Sequence, residues 1–207
     1  MIVGIGHKKQ HGKSTAAAII QSYLQKNGYP CVVDSFAEGL KRVLLELFPK
    51  QLQYRHLYGT DADKNERLPD IRIPNLKAGE FVCGRTLMQH FGTEVCRSMY
   101  DKIWCTQLAN RAAQQPGKVT ITADVRFPNE VETILGHNGI VLKIQRPVEP
   151  SGNDTHPSET ALDGFTGWSH VVVNDGDMSA LESKIISICD SIIIPKLDVE
   201  RNNIKRF

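Results

Sequence analysis

This chain of 207 residues lacks the features that mark a secreted, zinc-binding or membrane-spanning protein. Its five cysteines are odd in number and include no Cys-x-x-Cys pair, which argues against a disulfide framework and a zinc site. No apolar run is long enough to span a bilayer, and the first residues lead directly into His, Lys and Gln. We therefore expect no signal peptide, no membrane partner and a cytoplasmic location.

A strong net charge is also missing. The formal charge of +2 is too small to bind nucleic acid through bulk electrostatics, so we expect no strong nucleic-acid binding. The chain contains no Gly-x-Ser-x-Gly motif and no Cys–His signature, which argues against the common serine and cysteine nucleophiles. Any anion site must depend on the local placement of Lys and Arg. The sequence leaves monomer and homodimer open.

What the sequence does contain is an alternation of β-prone and helical segments. Strands are predicted at 2–6, 31–36, 119–124, 140–145 and 170–175, and helices at 14–25, 38–48, 85–115 with a break near Tyr100, 128–137 and 178–193. This alternation predicts an α/β fold, a single domain over residues 1–207 with a five-stranded parallel sheet flanked by helices. Segment 49–84 has charges and prolines without a clear period, which predicts an irregular or partly helical insertion on the surface.

The segment Gly12-Lys13-Ser14-Thr15 has the ending of a phosphate-binding loop, G-x-x-x-x-G-K-[ST]. It lies between the first predicted strand and the first helix, where backbone N–H groups and the helix dipole can face an anion. Lys13 would reach the outer phosphates, and the Ser14 hydroxyl would bind Mg²⁺. The pattern has glycine where this chain has His7, which affects the first bend of the loop rather than the anion chemistry. The alternative is a chance Gly-Lys-Ser in a loop.

Two further groups of polar residues are candidates for the same chemistry. Asp124 ends a strand and is followed by Arg126, and an acidic residue there can hold Mg²⁺ through water. The alternatives for Asp124 are a helix N-cap and a salt bridge. Four polar residues follow one another at steps of four, which would place them on one helical face: Arg85, Gln89, Thr93 and Arg97. That face suits a phosphate and a base, although spacing alone favours a solvated amphipathic face.

The segment 147–160 is rich in proline, glycine and turn-forming residues and predicts a mobile loop. Arg146 precedes it, and Asp154, His156 and Glu159 lie within it. The simplest interpretation is a polar connection. The alternative is a lid that closes over the donor nucleotide and excludes water, which would otherwise compete for the γ-phosphoryl group.

Several stretches of the chain together resemble the deoxynucleoside monophosphate kinases of bacteriophages. These belong to the P-loop kinase superfamily and are related to phosphomevalonate kinase and adenylate kinase. The resemblance spans nearly the whole chain and is carried, in order, by GKST, SFAEGLKR, RTLMQHFGTEVCR with Trp104 after it, TADVRFPNE, Arg146-Pro147, HPSE and VVVNDG. The departures are His7 in place of the loop glycine and Ser14 where many relatives have Asp.

The resemblance implies a P-loop kinase fold in which 49–84 is an acceptor-side insertion and 147–160 a lid. It implies transfer of the ATP γ-phosphate to a deoxynucleoside monophosphate (dNMP), giving a dNDP and ADP, with ATP and Mg²⁺ as cofactors and the host cytoplasm as location if a phage encodes the chain. The catalytic residues implied are Lys13, Asp124 and Arg126. The ATP-binding residues implied are Gly12, Lys13, Ser14, Thr15 and Arg146, with Ser14 and Asp124 as Mg²⁺ ligands. The acceptor-binding residues implied are Phe36, Lys41, Arg85, Gln89, Thr93 and Arg97.

Two other functions compete with this interpretation. The nearer is the same reaction on another acceptor: phosphomevalonate, dephospho-coenzyme A or a modified base in DNA. The more distant is a non-catalytic nucleotide-binding switch, which would need no acceptor pocket. Incubation with ATP and a panel of monophosphates distinguishes all three.

Overall fold

A computed structural model describes residues 1–74, 76, 79–147 and 156–204 of the chain. Five strands form one sheet: β1 (Ile2–Gly6), β2 (Cys31–Asp34), β3 (Val119–Val125), β4 (Ile140–Gln145) and β5 (His170–Val173). Their order in the sheet is β2-β3-β1-β4-β5, and each neighbouring pair is parallel. The predicted fold class, an α/β fold with a five-stranded parallel sheet flanked by helices, is confirmed. The sheet order puts β1 in the centre, so the loop that follows β1 leaves the middle of the carboxyl edge.

The helices connect and flank these strands. They are α1 (Lys13–Lys26), α2 (Glu38–Leu47), α3 (Tyr54–Tyr58), α4 (Asp61–Lys64), α5 (Gly84–Gln89), α6 (Ile103–Ala113), α7 (Pro128–Gly136), α8 (Pro157–Thr160), α9 (Met178–Ile188) and α10 (Ile194–Ile204). Two stretches have the wider π-helical turn, His90–Arg97 after α5 and Cys189–Ile193 between α9 and α10. No helix in the described part of the chain is both long and apolar enough to cross a membrane.

The chain divides into two compact units. One, called the sheet unit below, consists of residues 1–35 and 108–207 and contains all five strands. The other, called the helical unit, consists of residues 36–107 and contains α2 to α5. The predicted insertion 49–84 lies inside the helical unit, where α3 and α4 provide short helices. The division into a single domain with an insertion stays a prediction.

The core of the sheet unit explains the continuous apolar runs of its strands. Every residue of β1 is buried, because helices cover both faces of a parallel sheet and leave no solvated side for polar residues. Helix α1 packs Ala16, Ala17, Ile20 and Leu24 into the same core.

The sequence located the five strands and most of the long helices, but it did not predict the short α8 or the last helix α10. The break near Tyr100 is confirmed, since the π-helical stretch ends at Arg97 and α6 begins at Ile103. The last helix was predicted to end at 193, whereas the π-helical turn at Cys189–Ile193 continues directly into α10. Pro195 is the second residue of α10 and lies directly after this π-helical turn.

Candidate nucleotide site

The loop of residues 7–12 has a backbone suited to bind an anion. Positive φ angles occur at His7 (93°), Gln10 (62°) and Gly12 (99°). Alternation of left- and right-handed conformations turns successive N–H groups toward one point and makes an anion-binding concavity. Helix α1 begins directly after Gly12 and runs for 14 residues, so its N-terminal N–H groups and dipole add to the same positive potential.

His7 adopts the backbone conformation that the pattern assigns to glycine. Its φ of 93° costs a non-glycine residue about 1–3 kcal/mol, so neighbouring contacts must hold it there. The ring lies edge-on to Trp168, with centroids 6.5 Å apart, and its Nδ1 is 3.3 Å from Nδ1 of His11. Burial, followed by the charge of Lys143, lowers the pKa of His7 to about 4. The ring is therefore neutral near pH 7, and the missing glycine does not prevent the bend.

Lys13 lies among the charges of the site. Its Nζ donates to the backbone oxygen of Lys8 at 2.5 Å, which folds the side chain back over the loop. Burial, followed by the charge of Arg126, lowers the pKa of Lys13 from 10.5 to about 8, and the charge of Asp124 opposes this shift. These effects show that two cations and one carboxylate from β1–α1 and β3 lie near one another. A desolvated ammonium beside another cation gains strongly from an arriving phosphate.

We expect this lowered pKa to appear in the pH dependence of ATP use. In the free enzyme Lys13 is protonated below about pH 8 and neutral above it. Since kcat/KM reports ionisations of the free enzyme, kcat/KM for ATP should fall as the pH rises through about 8. Bound phosphates raise the pKa of Lys13, so kcat at saturating ATP should fall only at higher pH. A Lys13→Arg variant should lose the descending limb, because arginine stays charged. A wild-type kcat/KM that stays flat to pH 9.5 would contradict this assignment.

Asp124 is held by hydroxyl groups from two strands. Ser35 Oγ donates to its Oδ2 at 2.6 Å, and Thr122 Oγ1 donates to its Oδ1 at 2.5 Å. Both bonds stabilise the ionised carboxylate and fix its orientation. The alternative of a helix N-cap is wrong, because the N-cap position of α7 is Phe127. Asp124 is thus a carboxylate fixed at the carboxyl end of β3, beside Lys13.

Ser35 is itself placed by an ion pair. Arg111 on α6 binds Asp34 at the end of β2 through two nitrogens, at 2.8 and 3.1 Å, and donates to the backbone oxygen of Ser35 at 2.7 Å. The side chain of Asp34 is only 9% exposed, so this two-nitrogen pair is well shielded from water. Arg111 therefore helps to orient the hydroxyl that binds Asp124.

Arg126 connects the end of β3 to the segment 156–163, which begins within the predicted lid. Its backbone N–H donates to Oε2 of the buried Glu130 at 2.7 Å, which anchors the start of α7. Its guanidinium donates to the backbone oxygen of Ser158 at 3.2 Å and forms a close ion pair with Glu159. Lys13 and Arg126 can both reach a phosphoryl group only if Glu159 shares or releases this guanidinium.

A second ion pair joins the same segment to the phosphate-binding loop. Lys8 Nζ lies 2.5 Å from Oδ1 of Asp163 and 3.3 Å from the backbone oxygen of Glu159. His156 caps the short α8, since its Nδ1 accepts from Ser158 N at 3.1 Å, which is a structural role. The predicted lid lies mostly outside the described residues, which omit 148–155.

The oxygen groups of the site suit a nucleotide-bound Mg²⁺. Ser14 offers an exposed hydroxyl in the first turn of α1, and Asp124 offers a fixed carboxylate. Within residues 1–74, 76, 79–147 and 156–204, no group of three or more His, Cys, Asp or Glu residues could hold a metal by itself. Mg²⁺ in phosphoryl-transfer sites takes one or two protein ligands and completes its shell with waters and phosphates. The donor set therefore fits this ion.

The predicted acceptor residues lie in the helical unit and are described there by themselves. Phe36 is only 2% exposed, and Lys41 Nζ lies 4.5 Å above the ring of Tyr58. Tyr58 donates its hydroxyl proton to Glu38 at 3.0 Å, and burial with this carboxylate raises its pKa to about 12. Tyr54 stacks on Tyr58 with ring centroids 4.1 Å apart. Lys41 is thus placed over an aromatic pair rather than extended into solvent.

The two predicted arginines of this unit have different surroundings. Arg85 donates from Nη2 to Asp61 at 2.6 Å and from Nε to Asn65 at 3.1 Å. Arg97 is buried, with 7% of its surface exposed, and its Nη1 donates to the backbone oxygen of Asp101 at 2.9 Å. The solvated-face interpretation is therefore wrong for Arg97. Gln89 and Thr93 are partly buried, and a common face for the four residues stays a prediction.

Some residues of the site had no signal in the sequence. Ser35 and Asn174 lie in SFAEGLKR and VVVNDG, to which sequence analysis gave no chemical role, and Arg111 lies in no motif; the hydrogen bonds of all three appear only in the folded structure. Glu159 was part of the HPSE stretch but was interpreted as a residue of a polar loop. Arg146 is exposed, and the contact described for it is made by its backbone.

Comparison with known proteins agrees with this geometry. The family model for deoxynucleotide monophosphate kinase matches residues 73–185. A protein of Acanthamoeba polyphaga mimivirus that is assigned this activity is 31% identical over 207 residues, covering 92% of this chain and 97% of the relative. The deoxynucleoside-5'-monophosphate kinase of Escherichia phage T5 is 29% identical over 123 residues, covering 56% of this chain and 49% of that enzyme.

The solved structures that match are more distant. The Mycobacterium tuberculosis APS kinase CysC, as a cysteine-to-alanine mutant, has a TM-score of 0.41 and 10% identity, with 92% of this chain and 96% of that chain covered. The same kinase in complex with AMPPNP and APS has a TM-score of 0.42 and 11% identity, with 92% and 97% covered.

A parallel sheet with Lys13, Asp124 and Arg126 gathered behind a phosphate-binding loop defines a P-loop phosphotransferase. The chain belongs to the deoxynucleotide monophosphate kinase family. It is an ATP-dependent kinase that phosphorylates a deoxynucleoside monophosphate, giving a dNDP and ADP. The predicted family, function and enzyme class are confirmed.

Proposed function

We propose that the sheet unit binds ATP with Mg²⁺ through the loop of residues 7–12 and the start of α1. Gly12, Lys13, Ser14 and Thr15 hold the phosphates in this proposal, and Arg146 lies beside the donor. The observation that carries it is the convergence of charges at Lys13, whose pKa of about 8 reflects burial and the nearby Arg126, offset by Asp124. A partly buried ammonium with a lowered pKa next to a second cation is arranged for a highly charged anion.

The acceptor phosphate is bound, in the same proposal, by arginines of the helical unit. Arg85 and Arg97 contact the monophosphate, and Gln89 and Thr93 contact the base or sugar. Phe36 and Lys41 complete the acceptor pocket. Guanidinium groups suit this task because they bind phosphate oxygens through two parallel N–H bonds.

The chemistry needs no covalent enzyme intermediate. An acceptor phosphate oxygen attacks the γ-phosphorus in line, the bond to the β–γ bridging oxygen breaks, and ADP leaves. Lys13 and Arg126 neutralise charge that develops on the transferred group, and Asp124, fixed by two hydroxyls, orients the groups around it. Ser14 and Asp124 would hold Mg²⁺, which would supply neutralisation of charge at the β- and γ-phosphate oxygens.

The proposal is tested with purified protein, ATP, Mg²⁺ and each of the four common deoxynucleoside monophosphates in separate reactions. We expect a dNDP and ADP to form in equal amounts with at least one acceptor. The matched ribonucleotides, run in parallel, measure discrimination at the sugar. Formation of ADP without any dNDP would indicate ATP hydrolysis alone and would contradict the proposed roles of the helical unit.

We expect Arg85→Ala to weaken acceptor binding while leaving ATP binding nearly unchanged. A lost charge-assisted contact to phosphate is worth about 1.5–3 kcal/mol, or roughly ten- to a hundredfold in KM for the dNMP. Arg55→Ala is the matched control, because Arg55 is an exposed arginine of the same unit that pairs with Glu66. Steady-state kinetics with each substrate varied in turn separate the two KM values. An equal rise in KM for ATP would move Arg85 to the donor site.

A further inference from the structure

Three chain segments meet at a buried side chain of the phosphate-binding loop, His11. Its side chain and backbone are only 1% exposed, although it lies in a loop of polar residues. One segment is the loop itself, the second begins at Arg146 after β4, and the third is Asn174 after β5. All three belong to the sheet unit.

The hydrogen bonds at His11 fix which of its ring nitrogens accepts. The backbone N–H of Arg146 can only donate, and it points to Nδ1 of His11 at 3.4 Å. Nδ1 of His11 is therefore an acceptor, so the hydrogen in its 3.3 Å contact with His7 must be carried by Nδ1 of His7. Two donors then share one lone pair, which accounts for the length of both bonds.

The backbone of His11 is fixed by a second buried residue. Asn174, 6% exposed, donates from Nδ2 to the His11 backbone oxygen at 3.0 Å. Its own backbone N–H donates to the oxygen of Gln145 at 2.8 Å, which attaches it to the end of β4. A Cβ on Gly12 would approach Nδ2 of Asn174 to 2.8 Å, so glycine is needed there for this contact as well as for its φ of 99°.

These contacts act on the residues that must aim at phosphate. His7 has a φ of 93° that costs free energy, and the bond to His11 opposes its relaxation. Asn174 fixes the loop from the opposite side, one residue before Gly12. Backbone N–H groups that are already oriented need no ordering when the phosphates arrive, so binding retains that free energy.

We infer that His11 and Asn174 are positioning residues that hold the phosphate-binding loop in its anion-binding conformation by tying it to the ends of β4 and β5. The inference rests on the proposal that this loop binds the ATP phosphates. Neither residue needs to touch the nucleotide. The role of His11 depends on the acceptor at Nδ1 and on filling a buried site, and that of Asn174 on its Nδ2 donor.

The test compares two replacements of His11. His11→Leu introduces an apolar side chain of similar bulk and removes the acceptor, whereas His11→Asn places an amide oxygen near the position of Nδ1. Calorimetric titration with ATP in the absence of Mg²⁺ gives Kd without turnover, and kinetics give KM for each substrate. We expect His11→Leu to raise Kd and KM for ATP about tenfold, the effect of one or two lost hydrogen bonds. For His11→Asn, Kd and KM for ATP should stay within about threefold of the wild-type values.

Two further variants separate positioning from general stability. Ile185→Val removes one buried methylene from the core of the sheet unit, so it should lower Tm without changing Kd for ATP. Asn174→Ala removes the donor to the His11 oxygen and should raise Kd for ATP, as His11→Leu should. It provides an independent test if His11→Leu fails to fold. Amide hydrogen exchange at residues 7–12 should be faster in Asn174→Ala and His11→Leu than in Ile185→Val.

The outcomes divide clearly. If wild type forms no dNDP, the proposed function fails and the inference fails with it. If wild type is active but both Asn174→Ala and His11→Leu bind ATP as wild type does, only the inference fails. The inference also fails if Asn174→Ala and His11→Leu raise KM for the dNMP as much as KM for ATP. It fails likewise if Ile185→Val changes Kd for ATP as much as those two variants do.

Discussion

Lys13→Ala should lower kcat by about 10²–10³-fold or more while the fold survives. Lys13 is placed to contact the outer phosphates, and a positioned charge of this kind acts mainly on the transition state. Its removal should not unfold the protein, because burial already works against its charged form, as its pKa of about 8 indicates. The measurement is single-turnover transfer from labelled ATP, with Tm recorded for each variant.

The matched control for Lys13 lies in the same helix. Lys26→Ala removes an exposed lysine from the last turn of α1, far from the phosphate-binding loop along the chain. The kcat of Lys26→Ala should equal that of wild type. A kcat for Lys13→Ala within tenfold of wild type, at equal Tm, would contradict the assignment of the loop and with it the proposed donor site.

Asp124→Asn is expected to have the second largest effect. The substitution keeps the side-chain volume and one oxygen for the hydroxyls of Ser35 and Thr122, but it removes the negative charge. We expect kcat to fall about 10²–10³-fold, as for loss of one fixed electrostatic group, and half-saturation by Mg²⁺ to move to higher concentration. Transfer rates measured over a range of Mg²⁺ concentrations give both quantities.

A second readout of Asp124→Asn comes from its effect on Lys13. Because the charge of Asp124 raises the pKa of Lys13, its removal should move the fall of kcat/KM for ATP to a pH below 8. Asp190→Asn is the control, since Asp190 is an exposed carboxylate that accepts from Tyr23 at 2.7 Å. An unchanged pH profile together with unchanged Mg²⁺ dependence would leave Asp124 a purely structural residue.

Much of the fold was predictable because its signals are local. Strand β4 was predicted at 140–145 and occupies Ile140–Gln145, since six β-prone residues between turn-forming segments identify a buried parallel strand. Lys13 and Ser14 were predictable for the same reason, because strand, loop and helix are contiguous in the chain. Helix α10 was missed because the π-helical turn before it has no recognised sequence pattern.

The sequence by itself determined the parallel α/β fold, the phosphate-binding loop and, through its family motifs, the kinase. Only the tertiary structure decided what surrounds that loop. Arg111 reaches Asp34 across 77 residues, His11 meets the backbone of Arg146 across 135, and Asn174 binds the oxygen of His11 across 163. No local pattern encodes such pairs, because they follow from the strand order, which brings the carboxyl ends of β2, β3, β1, β4 and β5 to one edge. At that edge the strands end and their last polar groups find partners from other strands, so the site is a property of the sheet.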